Sequence, residues 1–197
     1  MGLFDVLGLP PMISTGLESG MFALIGAVLC QSLFGEKGKG WDYMQFFSMI
    51  TFSALIWCPP AFYWYPYLES LFPGNDDKMN IVYKVLLDQL VFSPLVLAAF
   101  WFHSTFLSTL DLNASVAAIP QNLLSSLVTN WVYWPFVQVI NIAFVPVQHK
   151  VLVLNLASIP WNVYISYSVS KQQSAQTDGA QSDNAGKKKR KKRRKDL

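Results

Sequence analysis

The chain has 197 residues, of which 52% are hydrophobic, 15% aromatic and 14% charged, and its mean hydropathy is +0.30. A soluble domain carries about 25% charged residues, so this composition excludes an ordinary water-soluble protein. Several long windows hold one charge or none, as membrane helices do. We therefore predict an all-α, polytopic membrane helix bundle (residues 16–170) with four or five spanning helices, several of them kinked by proline.

Residues 1–34 are predicted to hold a short lead-in and the first spanning helix. Residues 1–15 are largely apolar and contain Pro10-Pro11, which suits an interfacial segment. Residues 16–34 have the length of a bilayer core. Small residues recur along this span at a spacing that lets a second helix backbone approach closely. They are Gly16, Gly20, Ala23 and Ala27.

The second and third predicted spans, residues 44–68 and 81–110, both contain proline. Pro59 and Pro60 lie in the middle of the second span, and Pro94 lies in the third. Proline donates no backbone hydrogen bond and disfavours a helical residue before it. We therefore expect the second span to bend or break at its proline pair, and the third to be kinked.

The third span also carries polar side chains in its first half, at Lys84, Asp88 and Gln89. Lys84 and Asp88 are four residues apart on one helical face, so they are predicted to pair. An ionisable residue inside a membrane indicates a functional site by default. The equal alternative is a Lys whose head group extends to the membrane interface beside its Asp partner.

The fourth span, predicted over residues 122–147 after a polar connection at 111–121, is the most informative stretch. Pro135 leaves the carbonyl of Trp131 without its helical partner, and Pro146 adds a further kink near the end. An amide left unpaired in hydrocarbon costs several kcal/mol, so a polar face must meet other helices or water. Such a face, within about 80° at 100° per residue, is formed by Asn130, Trp134, Gln138 and Asn141.

Residues 151–169 form a further apolar segment with its own polar stripe, including Asn162. It is either a fifth span or an interfacial helix, and the sequence does not decide between them. The tail, residues 171–197, is rich in Gln, Ser, Ala, Gly and Asp up to residue 186. Because that part lacks an apolar period, we predict that the tail is disordered.

The positive charge of the chain is concentrated in the run Lys187–Lys195, which contains nine basic residues. Setting aside this run and Asp196, six Lys and Arg face eleven acids, a net charge of −5. The basic run therefore serves either to fix membrane orientation or to bind anionic lipid headgroups, at about 1 kcal/mol per basic residue. A nucleic acid partner is not expected of a chain anchored in lipid.

No catalytic, cofactor or metal site is predicted. Cys30 and Cys58 lie in apolar stretches and are typical of buried thiols. His103 and His149 lack a sequence partner that would make a nucleophile and base pair. We therefore expect a protein that is not an enzyme and needs no cofactor.

Several separate motifs in register resemble those of one known family, the Mpv-seventeen or 22-kDa peroxisomal membrane protein family. Downstream they are Trp131, Trp134-Pro135, Gln138, Asn141, Val145-Pro146, Lys150 and Trp161-Asn162-x-Tyr164-x-Ser166. Upstream they are Trp64-Tyr65, Leu68, Pro73-Gly74, Lys84, Asp88-Gln89 and Pro94. The departures are Ile142 in place of Phe, Lys150 in place of Arg and Glu69 in place of Asp.

This resemblance implies a multi-pass protein of the mitochondrial inner membrane, or alternatively of the peroxisomal membrane, with about four spans. It also implies a small-molecule or ion channel that supports metabolite and redox homeostasis, with the polar faces lining its path. The alternative is a non-conducting scaffold that organises either membrane, in which the same amides join helices. Both hypotheses have the lipid bilayer as a partner, and both leave a homo-oligomer open.

Overall fold

The structure is a computed structural model that describes residues 4, 8–35, 40–73, 78–144 and 150–193. Its side chains are described up to residue 140, at 153–154 and at 156–175. The regular structure of this part is helical throughout, which confirms the predicted all-α membrane bundle. The helices are α1 (Pro11–Phe34), α2 (Tyr43–Leu71), α3 (Lys78–Thr109), α4 (Leu112–Phe144) and α5 (Lys150–Arg193).

Three of these helices, α1, α2 and α3, are long and apolar enough to cross a membrane. Large apolar side chains face outward on the bundle, among them Leu55, Leu95 and Val132. A soluble protein would cover such a surface, whereas lipid tails solvate it at no cost. Whether α4 and α5 both span the bilayer stays a prediction.

The prolines of α2 and α3 do not break their helices. Each follows a π-helical turn, at Phe52–Trp57 before Pro59 and at Asp88–Phe92 before Pro94. In a π turn the N–H group bonds five residues back, which inserts one extra residue and shifts the hydrogen-bond register. Of the bend or break predicted at the proline pair, the break does not occur, because the wider turn accommodates the ring and the helix continues to Leu71.

The connection before α4 is much shorter than predicted. Only Leu110, with φ of 53°, and Asp111 separate α3 from α4, and the predicted connection 111–121 lies almost entirely in α4. The Asp111 carboxylate caps the helix by accepting the N–H of Asn113 at 2.8 Å. Because this cap satisfies the first turn, α4 begins early and runs continuously through Pro135 to Phe144.

The tail also differs from the prediction. The backbone of α5 continues as helix to Arg193, across residues predicted to be disordered. The Ala, Gln and Lys of this stretch are good helix formers, and an apolar helix already formed before it removes the cost of nucleation. Predicted kink residue Pro146 lies outside the described residues.

Glycines set the distances between α1 and its neighbours. A Cβ on Gly16 would lie 3.2 Å from the carbonyl oxygen of Ala54 on α2, and one on Gly26 would lie 2.3 Å from Cβ of Asn162 on α5. Close packing of small residues drives helix association in membranes. The predicted small-residue stripe therefore packs against α2, and Gly26, outside that stripe, permits the contact with α5.

Neighbouring helices run antiparallel, and the bundle closes where α1 and α5 run parallel. The α1 and α5 pairing is fixed by Gly26 against Asn162 and by the rings of Phe34 and Tyr167, whose centroids are 5.4 Å apart. A buried apolar cluster holds the middle of the bundle together. Its members are Ala23, Ala27, Met49, Phe52, Leu97, Phe100, Trp101, Leu127, Ile165 and Val169.

Candidate functional site: a cavity between the helices

A cavity of about 510 Å³ lies inside the bundle. Each of the five helices contributes to its wall, from Ser19 on α1 to Ile165 on α5. Small-molecule sites have volumes of about 300–1,000 Å³. The size and central position of this cavity suit a site that binds or conducts a small solute.

Asp88 is a buried charged group of the wall. It begins the π turn of α3 and is 5% exposed. Its Oδ1 accepts a hydrogen bond from the indole of Trp64 at 3.2 Å, and its Oδ2 accepts from the amides of Gln89 at 2.9 Å and Gln138 at 3.5 Å. Hydrogen bonds to a carboxylate offset its lost hydration. Helices α2, α3 and α4 thus converge on one acceptor.

Gln89 joins α3 to α4 through two hydrogen bonds. Its side-chain oxygen accepts from the amide of Asn130 at 2.7 Å, and its backbone carbonyl accepts from the indole of Trp131 at 2.9 Å. That carbonyl is free because Ser93 bonds to Asp88 in the π turn, and the next residue, Pro94, has no N–H. A proline in α3 therefore creates the acceptor that α4 binds.

An ion pair lies at one end of the cavity wall. Lys84 on α3 donates to the carboxylate of Glu69 on α2. The Glu69 side chain is 55% exposed, whereas the Lys84 side chain is 15% exposed. The predicted partner of Lys84 was Asp88 on its own helix, but the ion pair that the structure shows connects two helices.

The opposite end of the wall carries large apolar side chains. Phe52 and Phe100 meet edge to face there, with ring centroids 5.0 Å apart, and Met49 and Ile165 pack around them. These four side chains are at most 8% exposed. A path through the bundle must therefore displace this apolar layer.

The remaining predicted residues sit as follows. Trp134 lines the cavity and meets Trp161 of α5 edge to face, with centroids 6.1 Å apart. The side chain of Asn141 lies outside the described part. The cavity wall brings together Lys84, Asp88, Gln89, Asn130, Trp134 and Gln138.

Comparison with known proteins identifies relatives of this sequence. The sequence profile of the Mpv17 / PMP22 family matches residues 105–166. Protein SYM1 of Saccharomyces cerevisiae is 31% identical over 167 residues, which cover 82% of this chain and 85% of the relative. The chain belongs to the Mpv17 / PMP22 family. No solved structure matches it.

Two further relatives connect this Mpv17 / PMP22 member to membranes. The mitochondrial inner membrane protein Mpv17 of Xenopus laevis is 30% identical over 84% of this chain and 94% of its own length. PXMP2/4 family protein 3 of Dictyostelium discoideum is 31% identical over 82% of this chain and 86% of its own length. The predicted multi-pass location in the mitochondrial inner membrane is confirmed.

A second polar cluster in this Mpv17 / PMP22 protein was missed by the sequence analysis. Gln45, which is 1% exposed, donates to the backbone carbonyl of Ser166 on α5 at 2.7 Å and accepts from Gln31 of α1 at 2.8 Å. Gln31 in turn accepts the backbone N–H of Asp42 at 2.8 Å. A single Gln in an apolar stretch was the available signal, but its partners are 14 and 121 residues away.

The imidazole of His103 lies away from the Asp88 carboxylate and contacts Thr51, with 3.0 Å between Nε2 and Oγ1. Within the described residues, no three His, Cys, Asp or Glu side chains converge as metal ligands would. The polar groups that do converge are amides, indoles and one carboxylate. Such groups can bind, orient and select a solute in this Mpv17 / PMP22 protein.

Proposed function

We propose that this integral membrane protein is a small-molecule or ion channel that supports metabolite and redox homeostasis, and that it is not an enzyme. The observation that supports the proposal is the cavity of about 510 Å³ with Asp88, Gln89, Asn130 and Gln138 on its wall. Polar groups at membrane depth are tolerated where they line a cavity. Three buried polar side chains, those of Asp88, Gln89 and Asn130, line this space.

The charges on the wall predict a preference for cations. Lys84 is paired with Glu69, whereas the hydrogen bonds from Trp64, Gln89 and Gln138 to the Asp88 carboxylate come from neutral donors. A ring or cluster of carboxylates favours cations in a pore. Asp88 is therefore the proposed selectivity group.

The same structure represents a closed state of the proposed channel. Phe52 and Phe100 meet at the apolar end of the cavity wall, and hydrophobic constrictions prevent conduction by excluding water. Opening then requires these rings to move apart. The π turn that starts at Phe52 gives α2 a place where its register can change.

Purified protein in planar lipid bilayers tests this function. We expect discrete conductance with a cation preference, which Asp88→Asn reduces and Gln138→Leu alters. Phe136→Leu is the matched control, because Phe136 is 67% exposed and lies away from the cavity wall. Bilayers that never conduct, or conductance that ignores both cavity changes, would contradict the proposal.

A non-conducting scaffold is the second candidate, and the hydrogen bond between Asn130 and Gln89 favours it. In this pair the Asn130 amide donates directly to the Gln89 side-chain oxygen, with no water between them. Direct hydrogen bonds of this kind hold membrane helices together. In this case the basic run Lys187–Lys195 recruits anionic lipid, at about 1 kcal/mol per basic residue near the surface. Replacing the run with Gln should then release the nanodisc-embedded protein from vesicles containing phosphatidylserine, and unchanged binding would exclude that role.

A further inference from the structure

The cavity is long and narrow. Its wall on α3 extends from Ile81 to Phe100, which is about 28 Å along a helix. A sphere of the same volume would be about 10 Å across by simple geometry. The space therefore fits an extended chain better than a compact solute.

The polarity of the wall changes along this length. On α3 the wall residues Lys84, Asp88 and Gln89 are followed by Val96, Leu97 and Phe100. Because α2 runs antiparallel to α3, its polar and apolar wall residues fall at the same two ends. Those of α2 are Glu69 and Tyr65 at the polar end, and Phe52 and Met49 at the apolar end.

The apolar end suits hydrocarbon and not water. Leu97, Phe100 and Ile165 are 2–5% exposed and belong to the buried apolar cluster. A water molecule needs two to four polar partners, and apolar cavities that lack them stay dry and take apolar ligands. A hydrocarbon chain that enters from the polar end would find matching surface here.

The polar end suits a head group with positive charge. The Asp88 carboxyl group accepts from neutral indole and amide donors, and none of these donors brings a positive charge to the site. The rings of Tyr65 and Trp134 line the same region. Aromatic faces and a carboxyl group together attract an ammonium group.

We infer that the cavity binds a single-chain amphiphile, with an ammonium-bearing head at Asp88 and its hydrocarbon chain against Leu97, Phe100 and Ile165. This inference rests on the proposed function and deepens it, because it names the class of molecule that the site admits. The chain lies along α3, with the head at the end of the wall that carries the Lys84 and Glu69 pair.

The experiment uses full-length protein in lipid nanodiscs and measures quenching of tryptophan fluorescence. The probes are undecyl chains with a terminal bromine and a trimethylammonium, carboxylate or hydroxyl head. Bromine quenches the nearby indoles, and Trp57, Trp134 and Trp161 line the cavity. Empty nanodiscs and free tryptophan give the background. We expect saturable quenching by the ammonium probe at a concentration about tenfold below the other two.

Two kinds of substitution distinguish binding of the head group from binding of the hydrocarbon chain. Asp88→Asn should weaken binding of the ammonium probe about tenfold and leave the hydroxyl probe unchanged. Ser53→Phe fills the cavity and should abolish saturable quenching by all three probes, with Val96→Phe as a second filling variant if the first does not fold. Ser125→Phe is the matched control, because Ser125 is exposed and outside the wall.

Equal quenching by all probes, unchanged by Ser53→Phe and Val96→Phe, would show partition into the bilayer alone and overturn the inference. Tighter binding of the carboxylate probe would overturn the assignment of the head. Saturable binding without conductance contradicts the channel and leaves this inference standing. Conductance without saturable binding contradicts this inference and leaves the channel standing.

Discussion

Asn130 on α4 donates a hydrogen bond of 2.7 Å to the side-chain oxygen of Gln89 on α3, and each of the two side chains is 5% exposed. Gln89 also donates its amide to Asp88 and accepts the Trp131 indole at its backbone carbonyl. Gln89, which lies in the π turn of α3, thus bonds to the Asp88 carboxylate and to two residues of α4. Together with the bond of 3.0 Å from the Trp101 indole to Ser126, these contacts join α3 to α4.

Asn130→Leu should destabilise the protein by about 1–2 kcal/mol, because the Gln89 oxygen loses its partner in a buried site. Thermal unfolding of the purified protein in detergent measures the loss. Asn122→Leu is the control, since Asn122 bonds to Ala118 on its own helix, and it should cost less. Adding Gln89→Leu to Asn130→Leu should cost less than the two single losses added together; full additivity would contradict the pairing.

In the presence of Pro94, Trp131→Phe should lower the free energy of unfolding by about 1–2 kcal/mol, because the Gln89 backbone carbonyl loses its hydrogen-bond donor. Alanine at position 94 supplies an N–H that can bond within α3. In the Pro94→Ala background, Trp131→Phe should therefore cost less. Unfolding of the four proteins of this double-mutant cycle gives the coupling. A coupling of zero would show that the indole bond does not depend on the proline.

Gly26→Ala should loosen the contact between α1 and α5. The added Cβ would lie 2.3 Å from Cβ of Asn162, so the helices must separate, at a cost of about 1–3 kcal/mol. Gly40→Ala is the control because nothing lies within 4 Å of a Cβ there. Unfolding midpoints in detergent compare the two, and equal midpoints would mean that α1 and α5 do not pack this closely.

Phe100→Ala should raise the open probability of the proposed channel. Removing this ring from the pair with Phe52 shortens the apolar constriction that excludes water. The substitution also leaves a core cavity that costs about 3–5 kcal/mol, so folding is checked by gel filtration and circular dichroism. Single-channel recording in planar bilayers, with Phe136→Ala as the lipid-facing control, should show more frequent opening. Unchanged opening in folded protein would exclude this gate.

Composition and periodicity were sufficient for the helical membrane class, and they place Asn130 and Gln138 on one face of a helix. Helix spacing assigns a side chain to a face whatever its neighbours are. An amide without a hydrogen-bond partner in hydrocarbon has a high free-energy cost, so that face is expected to point inward. Proline positions likewise marked where backbone hydrogen bonds change.

Only the tertiary structure decided which side chains contact each other across helices. The sequence gives no register between helices, so it predicted Asp88 for Lys84 where the structure shows Glu69, and it missed the Gln45 contact with α5. The sequence analysis also missed the π turns. They form only where prolines and contacts with facing helices stabilise the shifted hydrogen-bond register. The cavity exists because five helices pack around it. Its volume and its gradient from charge to hydrocarbon depend on distances between helices, which no single stretch of sequence encodes.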